Sequence, residues 1–281
     1  MSGTLYIVAT PIGNMEDLTP RARKTLAEVD LVAAEDTRHT GRLLLSIGVK
    51  ARLMALHDHN EKEAVGSAIE KLESGQSVAL VSDAGTPLVS DPGYRLVRAA
   101  HEHGVPVSPI PGASALTAAL CAAGLPTDRF CFEGFLPAKR TARRKLLASL
   151  RQHTHTTIFY ESVHRAAESL EDMREILGDD RDAFIGRELT KLHEQCVLGT
   201  LQQLQQQVED GSIVAKGEFV IVVSGADETA PSLSFDADRL LLELGNVLPA
   251  KEAARVSASV TGLKKNALYQ RLLELRQAKP V

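Results

Sequence analysis

Apolar positions in residues 1–125 fall in short runs separated by longer amphipathic stretches. Leu5 to Ala9 reads as a buried strand. Thr19-Pro20 opens a helix, with Thr as its cap and Pro at the first helical position, where the missing N–H loses no bond. Leu31 to Ala34 is the next strand, followed by a helix from about Arg38 that stops at Gly48. Arg52 to Leu56 is strand-like, and Glu61 to Ser74 is helical with Gly75 as its stop. Val78 to Val81 is the clearest strand. Tyr94 to His103 is helical and closes on Gly104, and Val107 to Ile110 is a fifth strand leading into Pro111-Gly112. Strands alternating with helices predict a parallel sheet covered by helices on both faces.

The pattern breaks near Gly124-Leu125-Pro126-Thr127 and then resumes. Strands are expected near Phe130 to Phe132, Thr156 to Tyr160, Ala183 to Ile185, Gln195 to Leu198 and Phe219 to Val223. Helices are expected at Arg143 to Arg151, Val163 to Leu177 and Leu201 to Glu209. This predicts a second α/β domain with a mixed sheet. Gly225 to Ser234 is polar, carries Pro231 and reads as a linker. The chain therefore divides into an N-terminal parallel α/β domain (1–125), a mixed α/β domain (126–226) and a helical module (235–281).

Composition narrows this picture. A chain of 281 residues suits two domains, and 44% hydrophobic with 24% charged residues is enough to bury a core. A net charge of −4 excludes a uniformly basic coat for nucleic acid, so any such contact must be local. Two basic segments stand out. Lys139, Arg140, Arg143, Arg144 and Lys145 fall in seven positions with no acid among them. Cations at a helix start oppose the helix dipole, which points to a phosphate-binding role. From Pro249 onward, seven Lys/Arg, including Lys251, Lys264, Lys265 and Lys279, face two Glu. Two short helices around Gly262 there suggest a basic helix-turn-helix. Three scattered cysteines fit a reducing compartment, no signal peptide is read and no apolar run has the length of a membrane helix, so a cytoplasmic protein is expected.

Ligands of open parallel sheets bind at the carboxyl ends of strands. The loop after the first strand is Thr10-Pro11-Ile12-Gly13-Asn14. It lacks G-x-G-x-x-G, which excludes an ordinary NAD site. The second strand ends in Glu35-Asp36-Thr37-Arg38-His39-Thr40, where an acid can clamp a ribose or simply cap a helix. The third ends in His57-Asp58-His59, whose spacing places no third metal ligand, so no metal is expected. The fourth leads into Ser82 to Gly93, a long loop with two Gly and two Pro, of the kind that is usually functional. The fifth leads through Pro111-Gly112-Ala113 to Ser114-Ala115 and an alanine-rich helix. In the second domain, Tyr160-Glu161-Ser162 with His164-Arg165, and Arg187-Glu188-Leu189-Thr190-Lys191, are charged strand ends.

These stretches, in this order over nearly the whole chain, resemble the tetrapyrrole methylase superfamily (class III methyltransferases), and within it a bacterial family of ribosomal RNA small-subunit methyltransferases. The resemblance implies two α/β domains with S-adenosylmethionine in the cleft between them, a homodimer, and methyl transfer to a cytidine 2′-hydroxyl in the decoding region of small-subunit ribosomal RNA. It implies cofactor contacts from Pro11, Gly85, Thr86, Pro87, Val89, Ser114, Ala115 and Tyr160, and from Lys216, Gly217 and Glu218. Many members have G-D-P where this chain has Gly85-Thr86-Pro87, so Thr86, Asp83 or Asp91 must replace the missing Asp.

A ribose hydroxyl is a poor nucleophile at neutral pH, and a general base would help by about 10²–10⁴-fold. Asp91, Glu161 and Asp36 are the candidates. The RNA-contact candidates are Lys139, Arg140, Arg143 and Arg144 with Lys251, Lys264 and Lys265. Two other functions stay open at this point: a small-molecule methylase acting on a porphyrin-like ring, and a non-catalytic RNA-binding assembly factor.

Overall fold

The computed structural model of the chain describes residues 2–57, 60–227 and 235–277. Asp58 and His59, residues 228–234 of the expected linker, and Lys279 lie outside the described residues. The structure divides into two compact units, one running to Ala226 and the other beginning at Asp227. The sequence boundary at 125/126 separates two sheets within the first unit.

The first sheet contains β1 (Leu5–Val8), β2 (Leu31–Ala34), β3 (Leu53–Ala55), β4 (Val78–Val81) and β5 (Val107–Ile110) in the order β3-β2-β4-β1-β5, all parallel. Its helices are α1 (Pro20–Glu28), α2 (Thr37–Ser46), α3 (Glu61–Glu73) and α4 (Tyr94–Glu102), with α5 (Ala115–Ala122) following β5. Every residue of β2 and β4 is buried, as central parallel strands between two helical layers require. From β1 the chain crosses toward β2, and from β4 it crosses the other way to β5. β1 and β4 are therefore the adjacent strands at the topological switch, where ligands of such sheets bind.

The second sheet is mixed, as predicted. β6 (Phe130–Phe135), β7 (Thr156–Ser162), β8 (Asp182–Arg187), β9 (Gln195–Thr200) and β10 (Glu218–Val223) lie in the order β6-β7-β10-β8-β9, with only β6 and β7 parallel. One face is covered by α6 (Arg140–Leu150), α7 (Ala166–Leu177) and α8 (Leu201–Glu209), which share a core with Phe159, Ile185 and Ile221. The other face receives α5. Ala119, Leu120 and Ala123 pack with Ile158, Phe184, Val220 and Val222, and Ile12 of the first loop joins them. A helix that follows the first sheet in sequence thus belongs to the core of the second.

Packing also explains the basic segment at α6. Arg143 is fully buried, with its Nε 2.8 Å from Asp172 on α7. Arg140 and Arg144 reach the same carboxylate at 3.0 and 2.8 Å, and they also bond Glu171 and Glu175. Burial pushes the Asp172 carboxyl up, but hydrogen bonds from Arg144, Arg143 and Arg140 outweigh it and hold the group low. The expectation that Arg143 contacts RNA is therefore corrected, since its guanidinium has no access to solvent. Arg140 and Arg144 are spent in the same network. The apparent conflict with the helix dipole is resolved by the acids of α7 rather than by a phosphate. Lys139 remains exposed.

The second unit holds α9 (Phe235–Val247), α10 (Ala250–Thr261) and α11 (Lys265–Gln277). Leu241, Ala253, Ala254, Leu268 and Leu272 form its core. Gly262 ends α10 in the left-handed region, φ 73°. Lys251, Lys264 and Lys265 are exposed, while Arg271 is held by Asp238 at 2.6 Å.

Candidate active site

The loops after β1 and β4 meet at the switch point. Thr10 and Gly85 exchange backbone hydrogen bonds of 2.8 and 3.0 Å, and the Thr10 hydroxyl donates to the Ser82 carbonyl at 3.3 Å. Gly85 is left-handed, φ 79°, and a Cβ there would stand 3.2 Å from Ile12. Leu88 and Ser90, φ 72° and 68°, are left-handed as well. Non-glycine residues held this way cost of order 1–3 kcal/mol each and gather at ligand sites. The loop from Ser82 to Gly93 is thereby fixed in a shape that ordinary turn chemistry does not demand.

Beside this loop lies a cleft of about 400 Å³. Its first wall holds Asp83, Ala84, Gly85, Thr86, Val89, Ser90 and Asp91, with Ile12 and Glu35 from neighbouring strand ends. Ser114 and Ala115 at the start of α5 form its floor. Phe135, Tyr160, Ser162 and Gly217 to Val220 close it from the second sheet.

The Thr86 hydroxyl donates to the Ala113 carbonyl at 3.0 Å and ties the loop to the approach of α5. Asp83 accepts the backbone N–H of Asp36 at 3.1 Å. Burial raises the pKa of Asp91, a nearby Asp83 adds to the rise, and a hydrogen bond from Ser82 partly offsets it. Of the two acids offered with Thr86 as substitutes for the missing Asp, both line the cleft, and Asp83 bonds a backbone N–H while Asp91 is met by the Ser82 hydroxyl.

Tyr160 links the walls. Its hydroxyl accepts the Leu116 N–H at 3.1 Å, so α5 is capped by a side chain from the opposite sheet, while Ser114 makes no side-chain cap bond. Phe132 and Phe135 hold its ring edge-on, with centroids 4.8 and 5.6 Å away. Burial pushes the phenol up.

Four expected site residues are not in this cleft. Pro11 lines an adjoining one, Pro87 is buried behind the loop, and Lys216 is exposed on the outside, where its carbonyl accepts from Arg187 at 2.7 Å. Asp36 caps α2, and its carboxylate is gripped by Arg38, whose hydrogen bonds hold it well below the usual carboxylate range. A carboxylate so acidic is a weak base. Glu161 is also corrected. Strand alternation turns it to the face of Phe159, opposite Tyr160, and its side chain is fully buried. One oxygen takes Arg165 at 2.7 Å and the Ser162 N–H, and the other takes the Ser169 hydroxyl at 2.6 Å. It borders the cleft without aiming a carboxylate into it.

The sequence reading missed Ile12, Glu35, Ala84, Ser90, Phe135, Ser162, Phe219 and Val220 as lining residues. Alternation along β7 points to Ser162 once Tyr160 is placed. Phe135, 56% exposed at the end of β6, carries no local signal.

The family profile of tetrapyrrole (corrin/porphyrin) methylases matches residues 4–205. The chain belongs to the tetrapyrrole methylase family. A second profile, an RsmI C-terminal HTH domain, matches residues 232–276. Within the family, the chain is 51% identical over 272 residues to the ribosomal RNA small subunit methyltransferase I of Escherichia coli O157:H7, covering 97% of this chain and 95% of that one. It is 49% identical to the protein of the same name from Haemophilus influenzae, with 96% of each covered. Among solved structures it is similar to the methyltransferase CobJ, with TM-score 0.59 and 22% identity over 80% of this chain and 95% of that one. It is also similar to uroporphyrin-III-C-methyltransferase from Thermus thermophilus, with TM-score 0.56 and 20% identity over 79% and 94%. These structures share the two-sheet fold, so the expected fold class stands.

Proposed function

We propose that this protein is an S-adenosylmethionine-dependent methyltransferase that methylates a cytidine 2′-hydroxyl in the decoding region of small-subunit ribosomal RNA. The relatives' shared name supports the substrate, and the cleft supports the chemistry. S-adenosylmethionine, when bound, supplies an electrophilic methyl group. The residues present fit it. Ile12, Val89 and Ala115 offer apolar surface, Phe135 offers an exposed ring, and Glu35, Asp83 and Asp91 place acids around a ligand that carries cationic groups. Gly85 keeps the backbone open where a side chain would crowd Ile12.

The observation that carries the mechanism is Asp91, a partly buried acid with a raised pKa in the cleft. Its carboxylate accepts the proton of the ribose hydroxyl, and the Ser82 hydroxyl orients it. A raised pKa makes it a stronger base than an exposed Asp. The rigid loop and the capped start of α5 fix the walls between which the hydroxyl must be aligned, and such alignment is worth about 7–11 kcal/mol.

The exposed Lys251, Lys264 and Lys265 support an RNA-docking role for the C-terminal module, since phosphate neutralisation supplies most sequence-independent affinity. Among the described residues no helix is long and apolar enough to cross a membrane. A cytoplasmic place of action follows from a ribosomal substrate. A homodimer belongs to the same reading, and exposed Leu192 and Leu198 at β9 offer apolar surface for it, which sedimentation velocity tests. Mapping 2′-O-methyl groups on small-subunit RNA from cells with and without this chain tests the function. A missing methyl at one cytidine is the expected result, and an unchanged map would overturn it.

A further inference from the structure

A second cleft, of about 470 Å³, adjoins the first and shares Ile12, Asp83, Ala84 and Glu218 with it. Its outer wall is α2, which presents His39 and Arg42 one turn apart on the same face. Both are exposed, and among the described residues neither side chain has a hydrogen bond or ion pair. The neighbouring cations are matched. Arg38 holds Asp36 at 2.9 Å, and Lys191 holds Glu188 at 2.7 Å and Glu218 at 3.1 Å. The two acids at the shared border are also engaged, Asp83 by the Asp36 N–H and Glu218 by Lys191. The Arg42 guanidinium and the His39 ring are therefore left open to a ligand in the second cleft, beside the first.

We infer that the second cleft seats the RNA strand beside the target nucleotide, with Arg42 bonded to a backbone phosphate and His39 to the adjoining sugar-phosphate. This rests on the functional reading above. A ribose hydroxyl delivered to Asp91 arrives on a polymer that carries a phosphate on each side, and α2 presents the Arg42 guanidinium in the adjoining cleft. Planar guanidinium groups match phosphate oxygens in pairs. The seat is a positioning site. Arg42 touches neither the methyl group nor the reacting oxygen.

The test compares wild type with Arg42→Gln, Arg42→Lys and the double variant Arg42→Glu/His39→Ala. Both residues are exposed, so all variants should melt as wild type does. Arg42→Gln is expected to raise KM for the small ribosomal subunit about tenfold, with kcat and S-adenosylmethionine affinity within about twofold, and to lower the slope of log affinity against log salt by about 1. Arg42→Lys should recover most of the affinity. Unchanged KM and salt slope in the double variant would overturn the proposal. So would weakened binding to the assembled subunit with unchanged binding to protein-free RNA, which would assign the contact to a ribosomal protein. Salt-dependent RNA binding is read without turnover, so absence of methylation by wild type would count against the functional reading and leave the phosphate contact separately decided.

Discussion

Thr10 and Gly85 form an isolated antiparallel bridge between two loops that leave parallel strands. The two backbone hydrogen bonds lock the first loop to the fourth and set Ile12 against the floor of the cleft. Gly85 can make this bridge because its φ of 79° costs glycine little.

Gly85→Val should therefore abolish S-adenosylmethionine binding while the two sheets stay folded. Gly93→Val should behave differently, because its Cβ would fall 2.6 Å from Leu80 in the core. It should lower the melting temperature far more. Calorimetry and thermal melts of both variants check this, and unchanged cofactor affinity in Gly85→Val would remove the loop from the site.

Asp91→Asn should lower kcat by about 10²–10⁴-fold with cofactor affinity retained. Because burial raises its pKa, wild-type activity should fall as pH drops through that raised value, where the carboxylate takes a proton and no longer serves as a base. The variant's residual rate should lose this acidic limb. A normal rate in Asp91→Asn would leave alignment alone to carry the reaction.

Glu161→Gln gives the contrasting outcome. It removes the charge that Arg165 meets at 2.7 Å, so a stability loss of about 1–3 kcal/mol is expected with the shape of the pH–rate profile unchanged. A large kcat loss at unaltered stability would restore Glu161 as a candidate base.

Asp172→Asn should cost about 3–5 kcal/mol, because it leaves the fully buried Arg143 with only the exposed Glu168, at 3.4 Å, as a charge partner. The Asp172 pKa is lowered in the folded state, so its contribution is present above the unfolded value of about 3.9 and is lost as pH falls through the folded one. Denaturant titrations from pH 7 down to acid should show wild type losing stability on this limb and the variant losing less.

Replacing Lys251, Lys264 and Lys265 together by Gln should weaken RNA binding without regard to sequence and reduce the salt slope by about 3, with cofactor affinity unchanged. Equal subunit affinity in variant and wild type would give the module some other role.

Much of this was legible because the signals are local. Val78 to Val81 is a short apolar run that only a central strand buries on both faces, and the loop from Ser82 to Gly93 announces itself by its Gly and Pro. The misread residues answer to distant partners. Arg143 looked like a free cation because Asp172 lies 29 positions away on another helix. Glu161 was different, since the period of two along β7 already set it opposite Tyr160, and the charge cluster drew attention from the alternation. Arg42 sits in an ordinary helical stretch, and only the cleft beside it gives it meaning.

The placement of α5 bears on how molecules come and go. Ala119, Leu120 and Ala123 are buried against the second sheet, while Ser114 and Ala115 at the other end of the same helix form the floor of the cleft. Any motion between the sheets would therefore carry α5 with the second sheet, keeping Phe184 and Val220 covered. The cleft's floor and its far wall thus travel as one piece, joined by the Tyr160–Leu116 bond, and the wall they can part from is the loop after β4.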